Sequence, residues 1–148
     1  MHKSSLFPAI SDDGIRSRIA FAFLFIVALI STARSLIHMF APDGGANSIA
    51  GLAVDVEGGA NLIAIFAQWG ASQLLLAFFY WLAILKYRSL VPLMLLMVVI
   101  EQLLRIAVGL LKPVVAGSTP PGTIGSLIVL PLALVALLLT LRGEPENA

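Results

Sequence analysis

The sequence predicts an all-α integral membrane protein, folded as a four-helix transmembrane bundle. Of its 148 residues, 59% are hydrophobic and only 11% are charged, whereas soluble domains are roughly 45–50% apolar. The mean hydropathy is +1.01. The apolar residues fall into four runs, each near the ~20 residues that a helix needs to cross the hydrocarbon core of a bilayer. We therefore expect residues 1–148 to form a single transmembrane domain.

The first run predicts a span at about residues 19–39. Ser11, followed by Asp12 and Asp13, is typical of a helix N-cap with acidic residues in the first turn. The first helix is therefore expected to begin among the cytoplasmic headgroups. The basic residues ahead of the run also make it similar to a signal peptide. Because the apolar pattern continues through Phe40, a membrane span is favoured.

The other runs predict spans at about residues 60–85, 90–111 and 123–141. The link from Lys86 to Ser89 is so short that the second and third spans should be antiparallel neighbours, which favours an up-down-up-down bundle. Pro92 falls in the first turn of the third span, where its missing N–H costs little.

The loop at residues 41–59 is longer and rich in glycine. Its apolar middle, residues 48–54, either lies on or dips into the outer leaflet or forms a partly mobile connector.

The distribution of Lys and Arg predicts the orientation. The cations on one side of the spans are Lys3, Arg16, Arg18, Lys86, Arg88 and Arg142. The loops on the other side carry only Lys112. By the positive-inside rule both termini are cytoplasmic, in a multi-pass protein of the bacterial inner membrane. Tyr80, Trp81 and Tyr87 would then lie near the inner interface, where aromatic belts occur.

The composition also excludes several classes of function. The chain has no cysteine, which removes disulfides, thiolate nucleophiles and Cys-ligated metal sites. Its two histidines, His2 and His38, are too far apart in sequence to indicate a ligand pair, so we expect no metal and no cofactor. A net charge of +1 with scattered cations offers no basic stripe for nucleic acid.

Three charged residues fall inside the predicted spans: Arg34, Glu101 and Arg105. A charge at membrane depth costs about 2.5–3.5 kcal/mol on insertion scales, so each needs a partner or water. A helical rise of ~1.5 Å per residue places Glu101 near the midplane and Arg34, Gln68 and Arg105 roughly 6–9 Å farther outward. One layer of the bundle is thus expected to collect these four polar side chains.

A helical turn of ~100° per residue indicates which side chains share a face. On the second span Asn61, Gln68 and Ser72 fall on one face, whereas Gln73 points elsewhere. We expect the first three to turn toward the polar layer.

On the third span Glu101 and Arg105 form an i, i+4 pair with the acid first, which is the favourable order, and Gln102 flanks them. On the first span Arg34 shares a face with His38. Two cations against one anion leave a surplus positive charge that invites a carboxylate, a phosphate or a lipid headgroup.

We interpret this layer as an outward-facing pocket among the first three spans that binds a membrane lipid, an amphiphile or a small anion. The candidate ligand-binding residues are Arg34, Asn61, Gln68, Glu101 and Arg105. Secondary candidates are His38, Trp69, Ser72, Gln102 and Leu127.

The secondary candidates have simpler interpretations as well. His38 is expected near the outer interface, snorkelling or interacting with the helix C-terminus. Trp69 either packs in the bundle or floors the pocket. The fourth span is apolar all round, and Pro131 in its middle leaves the Leu127 carbonyl without an N–H partner. We expect an arginine side chain or a water molecule to donate a hydrogen bond to that carbonyl.

Other functions stay open at this point. The Glu101–Arg105 pair could be a neutral structural pair, with Gln68 and Asn61 as interhelical glue worth about 0.6 kcal/mol per hydrogen bond. The protein would then be a structural or assembly subunit, or a homo-oligomer, that packs its fourth span on another chain. A proton-coupled transporter or enzyme would depend on Glu101, but a single acid in the spans offers no multi-carboxylate relay. Enzymatic activity is therefore not indicated.

Four short segments carry a family resemblance: Gln68-Trp69-Gly70, the EQLLR segment at 101–105, Lys112-Pro113, and the TPPG segment at 119–122. They resemble a pattern of small bacterial four-span membrane proteins that are similar to the DoxX-like group. The resemblance implies a four-span fold and no settled chemistry. The glutathione-handling four-span enzymes fit less well, because the second span here carries no arginine.

Overall fold

The computed structural model of the chain describes residues 17–117 and 119–142. Within these residues the regular elements are four α-helices and a short 3₁₀ turn at Arg88–Leu90: α1 (Arg18–Phe40), α2 (Gly59–Leu85), α3 (Val91–Leu111) and α4 (Pro121–Arg142). Each α-helix is long and apolar enough to cross a membrane. The prediction of four helices long and apolar enough to span a membrane is confirmed, with bounds that agree to within two residues.

Local sequence signals explain where the helices begin. The Ser17 side chain caps α1 by accepting a hydrogen bond from the Ala20 N–H at 3.3 Å. The N-cap predicted at Ser11 lies outside the described residues. Pro92 occupies the first turn of α3, as predicted, and Pro121 opens α4. Both prolines lie in the first turn of their helix, where a backbone N–H has no acceptor within the helix.

The helices pack mainly as two pairs, α1 with α2 and α3 with α4. The short link between α2 and α3 does not make them the closest neighbours, because they contact each other far less. Gly70 allows α1 and α2 to approach closely. A Cβ atom at this position would lie 2.7 Å from the His38 Cβ and 3.0 Å from the Ser35 carbonyl oxygen.

The buried apolar core lies at one end of the bundle. It is formed by the first part of α1, the end of α2, the beginning of α3 and the second half of α4. Its members are Ala20, Leu24, Ala28, Tyr80, Ala83, Ile84, Val91, Met94, Leu95, Val98, Val99, Ala133 and Ala136. Tyr80 is completely buried in this core and Tyr87 is only 8% exposed. Both tyrosine side chains thus pack inside the bundle, and their position near the inner interface stays a prediction. Trp81 is half-buried, and its indole N–H donates to the Thr32 hydroxyl at 3.0 Å.

At the other end, the loop between α1 and α2 has its own hydrogen-bonded structure. The Asp43 carboxylate accepts hydrogen bonds from the backbone N–H groups of Ser48 at 2.6 Å, Gly45 at 2.9 Å and Asn47 at 3.2 Å. These bonds, above all the one from Ser48, lower the pKa of the Asp43 carboxyl to about 2. Gly44 and Gly45 supply the positive φ angles, +60° and +73°, that bring the chain around the carboxylate.

Candidate functional site

A cavity of about 1130 Å³ lies at the end of the bundle opposite the core. Its walls come from the second halves of α1 and α3, the first halves of α2 and α4, and the loops at 41–58, 112–117 and 119–120. Most of the lining side chains are apolar. The charged residues in the lining are Arg34, Glu101, Arg105 and Lys112. The prediction placed the pocket among the first three spans. This is wrong, because the fourth helix also contributes to the walls.

The structure brings Arg34, Glu101 and Arg105 together. One carboxylate oxygen of Glu101 lies 3.9 Å from Nη2 of Arg34 and 3.6 Å from Nη1 of Arg105. Both separations are longer than a hydrogen bond. The side chains stay partly exposed, 28% for Arg34, 20% for Arg105 and 15% for Glu101. Two guanidinium groups thus share one carboxylate, which neutralises only one of them.

Several polar atoms in and beside this cluster are buried without a hydrogen-bond partner among the described residues. They are Nε of Arg34, Nη1 of Arg105, Oε1 of Glu101 and the hydroxyl of Tyr80. A buried polar group without a partner costs about 1–3 kcal/mol. The cluster therefore has hydrogen-bonding capacity that its own residues do not use.

The second helix contributes a different glutamine from the one expected. Nη2 of Arg34 donates to Oε1 of Gln73 at 2.6 Å. Asn61, Gln68 and Ser72 do share a face, but all three are exposed on the outer surface of α2. The expectation that these three turn toward the charged layer, with Gln73 turned away, is wrong. Helical periodicity shows which residues share a face and leaves open which face points inward.

Trp69 lies directly against the two arginines. Its ring centroid is 5.4 Å from Cζ of Arg34 and 5.1 Å from Cζ of Arg105. Cation–π contacts of this length are worth about 0.5–2 kcal/mol, the higher value where water is excluded. Trp69 also lines the cavity, so its indole forms part of the wall beside the charged cluster. Gln73 follows this tryptophan at i, i+4 spacing, and that spacing is the sequence signal that could have placed Gln73 on the same face of α2.

His38 connects the charged cluster to the loop. It is only 4% exposed, so the snorkelling role predicted for it is wrong, although it does lie in the last turn of α1. Its Nδ1 donates to the Gly44 carbonyl at 2.7 Å. Its ring stacks on Trp69, with centroids 4.9 Å apart. The imidazole therefore fixes both the indole and the loop.

The fourth helix holds Arg105 through a serine that the sequence analysis did not single out. Nε of Arg105 donates to the Ser126 hydroxyl at 3.2 Å, and that hydroxyl donates to the Gly122 carbonyl at 3.0 Å. Among the described residues no side chain donates to the Leu127 carbonyl. The arginine expected at the Leu127 carbonyl bonds instead to the Ser126 hydroxyl, and the alternative of a water at that carbonyl stays a prediction. Gln102 is 8% exposed and does not line the cavity.

The site offers positive charge and hydrogen-bond donors. Within the described part of the chain, no three His, Asp or Glu side chains come close enough together to hold a metal ion. Comparison of the chain with protein-family models, curated proteins and solved structures finds no match in any of the three. The resemblance to DoxX-like proteins stays a prediction, and the function has to be inferred from the site itself.

Proposed function

We propose that this chain is a multi-pass protein of the bacterial inner membrane that binds an anionic amphiphile in the cavity, with Arg34 and Arg105 as the anion-binding groups. The distribution of Lys and Arg supports an up-down-up-down arrangement with cytoplasmic termini. The cavity then faces outward.

The charge balance of the cluster carries this proposal. Arg34 and Arg105 share the single carboxylate of Glu101 at 3.9 and 3.6 Å. Charged groups at membrane depth are costly unless paired, and the second guanidinium has no anion of its own. Guanidinium groups match carboxylates and phosphates through paired N–H donors. An anionic head group would therefore complete the cluster.

The remaining walls suit the apolar part of an amphiphile. Leu62, Leu104 and Val108 line the cavity beside the charged cluster. Ligand sites usually combine apolar walls with a few convergent polar groups in a volume of about 300–1,000 Å³. A cavity of about 1130 Å³ has room for a head group and part of an acyl chain.

The alternatives have less support. A purely structural subunit would be expected to satisfy its own polar layer, whereas four buried polar atoms at the cluster have no hydrogen-bond partner among the described residues. A proton-coupled transporter would rest on Glu101, the only carboxylate within the described helices. Assembly into a homo-oligomer stays a prediction.

Native mass spectrometry of the protein extracted from its own membrane tests the proposal. We expect adducts with the mass of an anionic amphiphile on the wild-type chain, and a loss of at least about tenfold in their occupancy in Arg34→Gln and Arg105→Gln. Arg88→Gln is the matched control, because Arg88 lies beside Phe21 and outside the cavity lining. Equal adduct occupancy in Arg34→Gln, Arg105→Gln and Arg88→Gln would overturn the proposal.

A further inference from the structure

The cavity contains one more cation than the proposed function uses. Lys112 ends α3 and lines the cavity. It follows Arg105 by seven residues, which is two helical turns, so the two cations lie on the same side of α3 and roughly 10 Å apart along its axis. Lys112 is exposed. Lys112 therefore adds a third cation to the cavity lining, at the exposed end of α3.

The charges in the described lining do not balance. The cations are Arg34, Arg105 and Lys112, and the only carboxylate is Glu101. The acidic residues of the neighbouring loop do not line the cavity: Asp43, Asp55 and Glu57. The surplus is thus two positive charges when His38 is neutral.

We propose that the head group bound in this cavity is a phosphomonoester carried on an acyl chain. This inference rests on the proposed function and names its ligand class. A phosphomonoester carries about −1.5 to −2 charges at pH 7 and offers three strong acceptor oxygens. The surplus of two positive charges in the lining matches that charge, and the guanidinium groups supply N–H donors for the phosphate oxygens.

Other anionic amphiphiles match the cavity less well. A fatty acid or a phosphodiester lipid brings one negative charge, which leaves one positive charge of the lining without a counterpart in the ligand. A soluble phosphomonoester such as glycerol 3-phosphate has the right charge, but it would leave the apolar walls at Leu62, Leu104 and Val108 in contact with water. The lining therefore favours a ligand that has both a doubly charged head group and an acyl chain.

The two tryptophans allow a direct titration. Trp69 adjoins the charged cluster, whereas Trp81 bonds to Thr32 and does not line the cavity. Trp81→Phe therefore leaves a single fluorescent reporter at the site. The protein is titrated in nanodiscs of phosphatidylcholine with phosphatidic acid, phosphatidylglycerol or glycerol 3-phosphate. The titrations are run at pH 8, where the second phosphate ionisation, with its pKa of about 6, is complete.

We expect phosphatidic acid to bind at least about tenfold more tightly than phosphatidylglycerol or glycerol 3-phosphate. Lys112→Gln should reduce the preference for phosphatidic acid over phosphatidylglycerol to within about threefold, and Lys112→Arg should keep it. Native mass spectrometry of the same variants gives a second readout that does not depend on fluorescence. Because Lys112 is exposed, these substitutions leave the fold intact.

The failures of the two proposals are distinguishable. Phosphatidic acid and phosphatidylglycerol could bind equally tightly, with Arg34→Gln abolishing the binding of both. That result would overturn the phosphomonoester assignment and leave an anionic amphiphile site. Glycerol 3-phosphate binding as tightly as phosphatidic acid would overturn the requirement for a chain. No effect of Arg34→Gln on any ligand would overturn the proposed function as well.

Discussion

Arg34 and Gln73 meet across the interface of α1 and α2, with Nη2 of the arginine 2.6 Å from Oε1 of the glutamine. This hydrogen bond holds one nitrogen of the guanidinium group on α2. The same nitrogen lies 3.9 Å from Oε1 of Glu101, and the guanidinium carbon lies 5.4 Å from the ring centroid of Trp69 at the cavity. Gln73 is thus a positioning residue for the arginine that the proposed function requires.

Removing this glutamine should destabilise the protein. Gln73→Ala leaves the Arg34 donor without its acceptor, and we expect a loss of about 1–2 kcal/mol in the free energy of unfolding. Gln68→Ala, on the exposed face of the same helix, is the matched control and should change it by less than about 0.5 kcal/mol. Thermal unfolding in detergent micelles measures both. Equal losses in the two variants would mean that the contact with Arg34 contributes nothing.

The close approach of α1 and α2 gives a second prediction. Gly70→Ala places a Cβ atom 2.7 Å from that of His38, so the helices must move apart, and we expect a loss of about 1–3 kcal/mol. Gly109 is also helical, but a Cβ there has no neighbour within 4 Å. Gly109→Ala should therefore be neutral or stabilising by up to about 1 kcal/mol. A comparison of unfolding midpoints tests the pair, and a neutral Gly70→Ala would contradict the packing described.

The Tyr80 hydroxyl gives a third prediction, because it is completely buried, lies beside Glu101 and makes no hydrogen bond of good geometry among the described residues. Tyr80→Phe keeps the packing and removes the unsatisfied group, so the free energy of unfolding should stay the same or rise by up to about 1 kcal/mol. Tyr80→Ala should lower it by about 3 kcal/mol through the loss of core packing. If Tyr80→Phe costs more than about 1 kcal/mol, the hydroxyl has a bonding role beside Glu101.

The loop carboxylate of Asp43 gives a pH-dependent prediction. Its pKa is lowered from 3.8 to about 2 by the backbone N–H groups of Ser48 and Gly45. A lowered pKa means that the stabilisation of the loop is fully present above about pH 3.8 and is lost as the pH falls through about 2. The carboxyl ¹³C resonance of Asp43 should therefore titrate near pH 2.

Amide exchange at Gly45 and Ser48 provides the companion measurement. Their protection should fall between pH 4 and pH 2 as Asp43 becomes protonated. In Asp43→Asn the loop should lose this pH dependence, which makes that variant the control. A carboxyl titration at or above 3.8 would contradict the hydrogen-bonded structure of the loop.

The positions of the helices could be predicted because apolar run length alone decides them. The bounds of α1 differ from the prediction by one residue at each end, since a span ends where polar loop residues begin. The i, i+4 spacing of Glu101 and Arg105 likewise needs no tertiary information, and the pair is present at 3.6 Å.

The inward faces of the helices could not be predicted in the same way. In a membrane helix most residues are apolar, so the usual contrast between core and surface disappears, and Gln68 and Gln73 are equally plausible from periodicity alone. The complete burial of Tyr80 among the helices was likewise not evident from its residue type. The Asp43 carboxylate bonds to backbone groups, which a residue pattern does not reveal.

The most direct test of the account measures the charge inside the cavity. Thr123 is exposed and lines the cavity, and the chain contains no cysteine. Thr123→Cys therefore introduces a single thiol, which is reacted with an anionic and a cationic methanethiosulfonate reagent. Each rate is divided by the rate of the same reagent with a free thiol in solution. Val56→Cys is the control, on the exposed loop between α1 and α2 and outside the cavity lining.

We expect the anionic reagent to modify Thr123→Cys about tenfold or more faster than the cationic reagent, because the surplus cations raise the local anion concentration. This preference should disappear when Arg34→Gln and Arg105→Gln are added, and Val56→Cys, which lies between Asp55 and Glu57, should show none. Equal rates for the two reagents at position 123, or a faster reaction with the cation, would contradict the proposed anion-binding cavity.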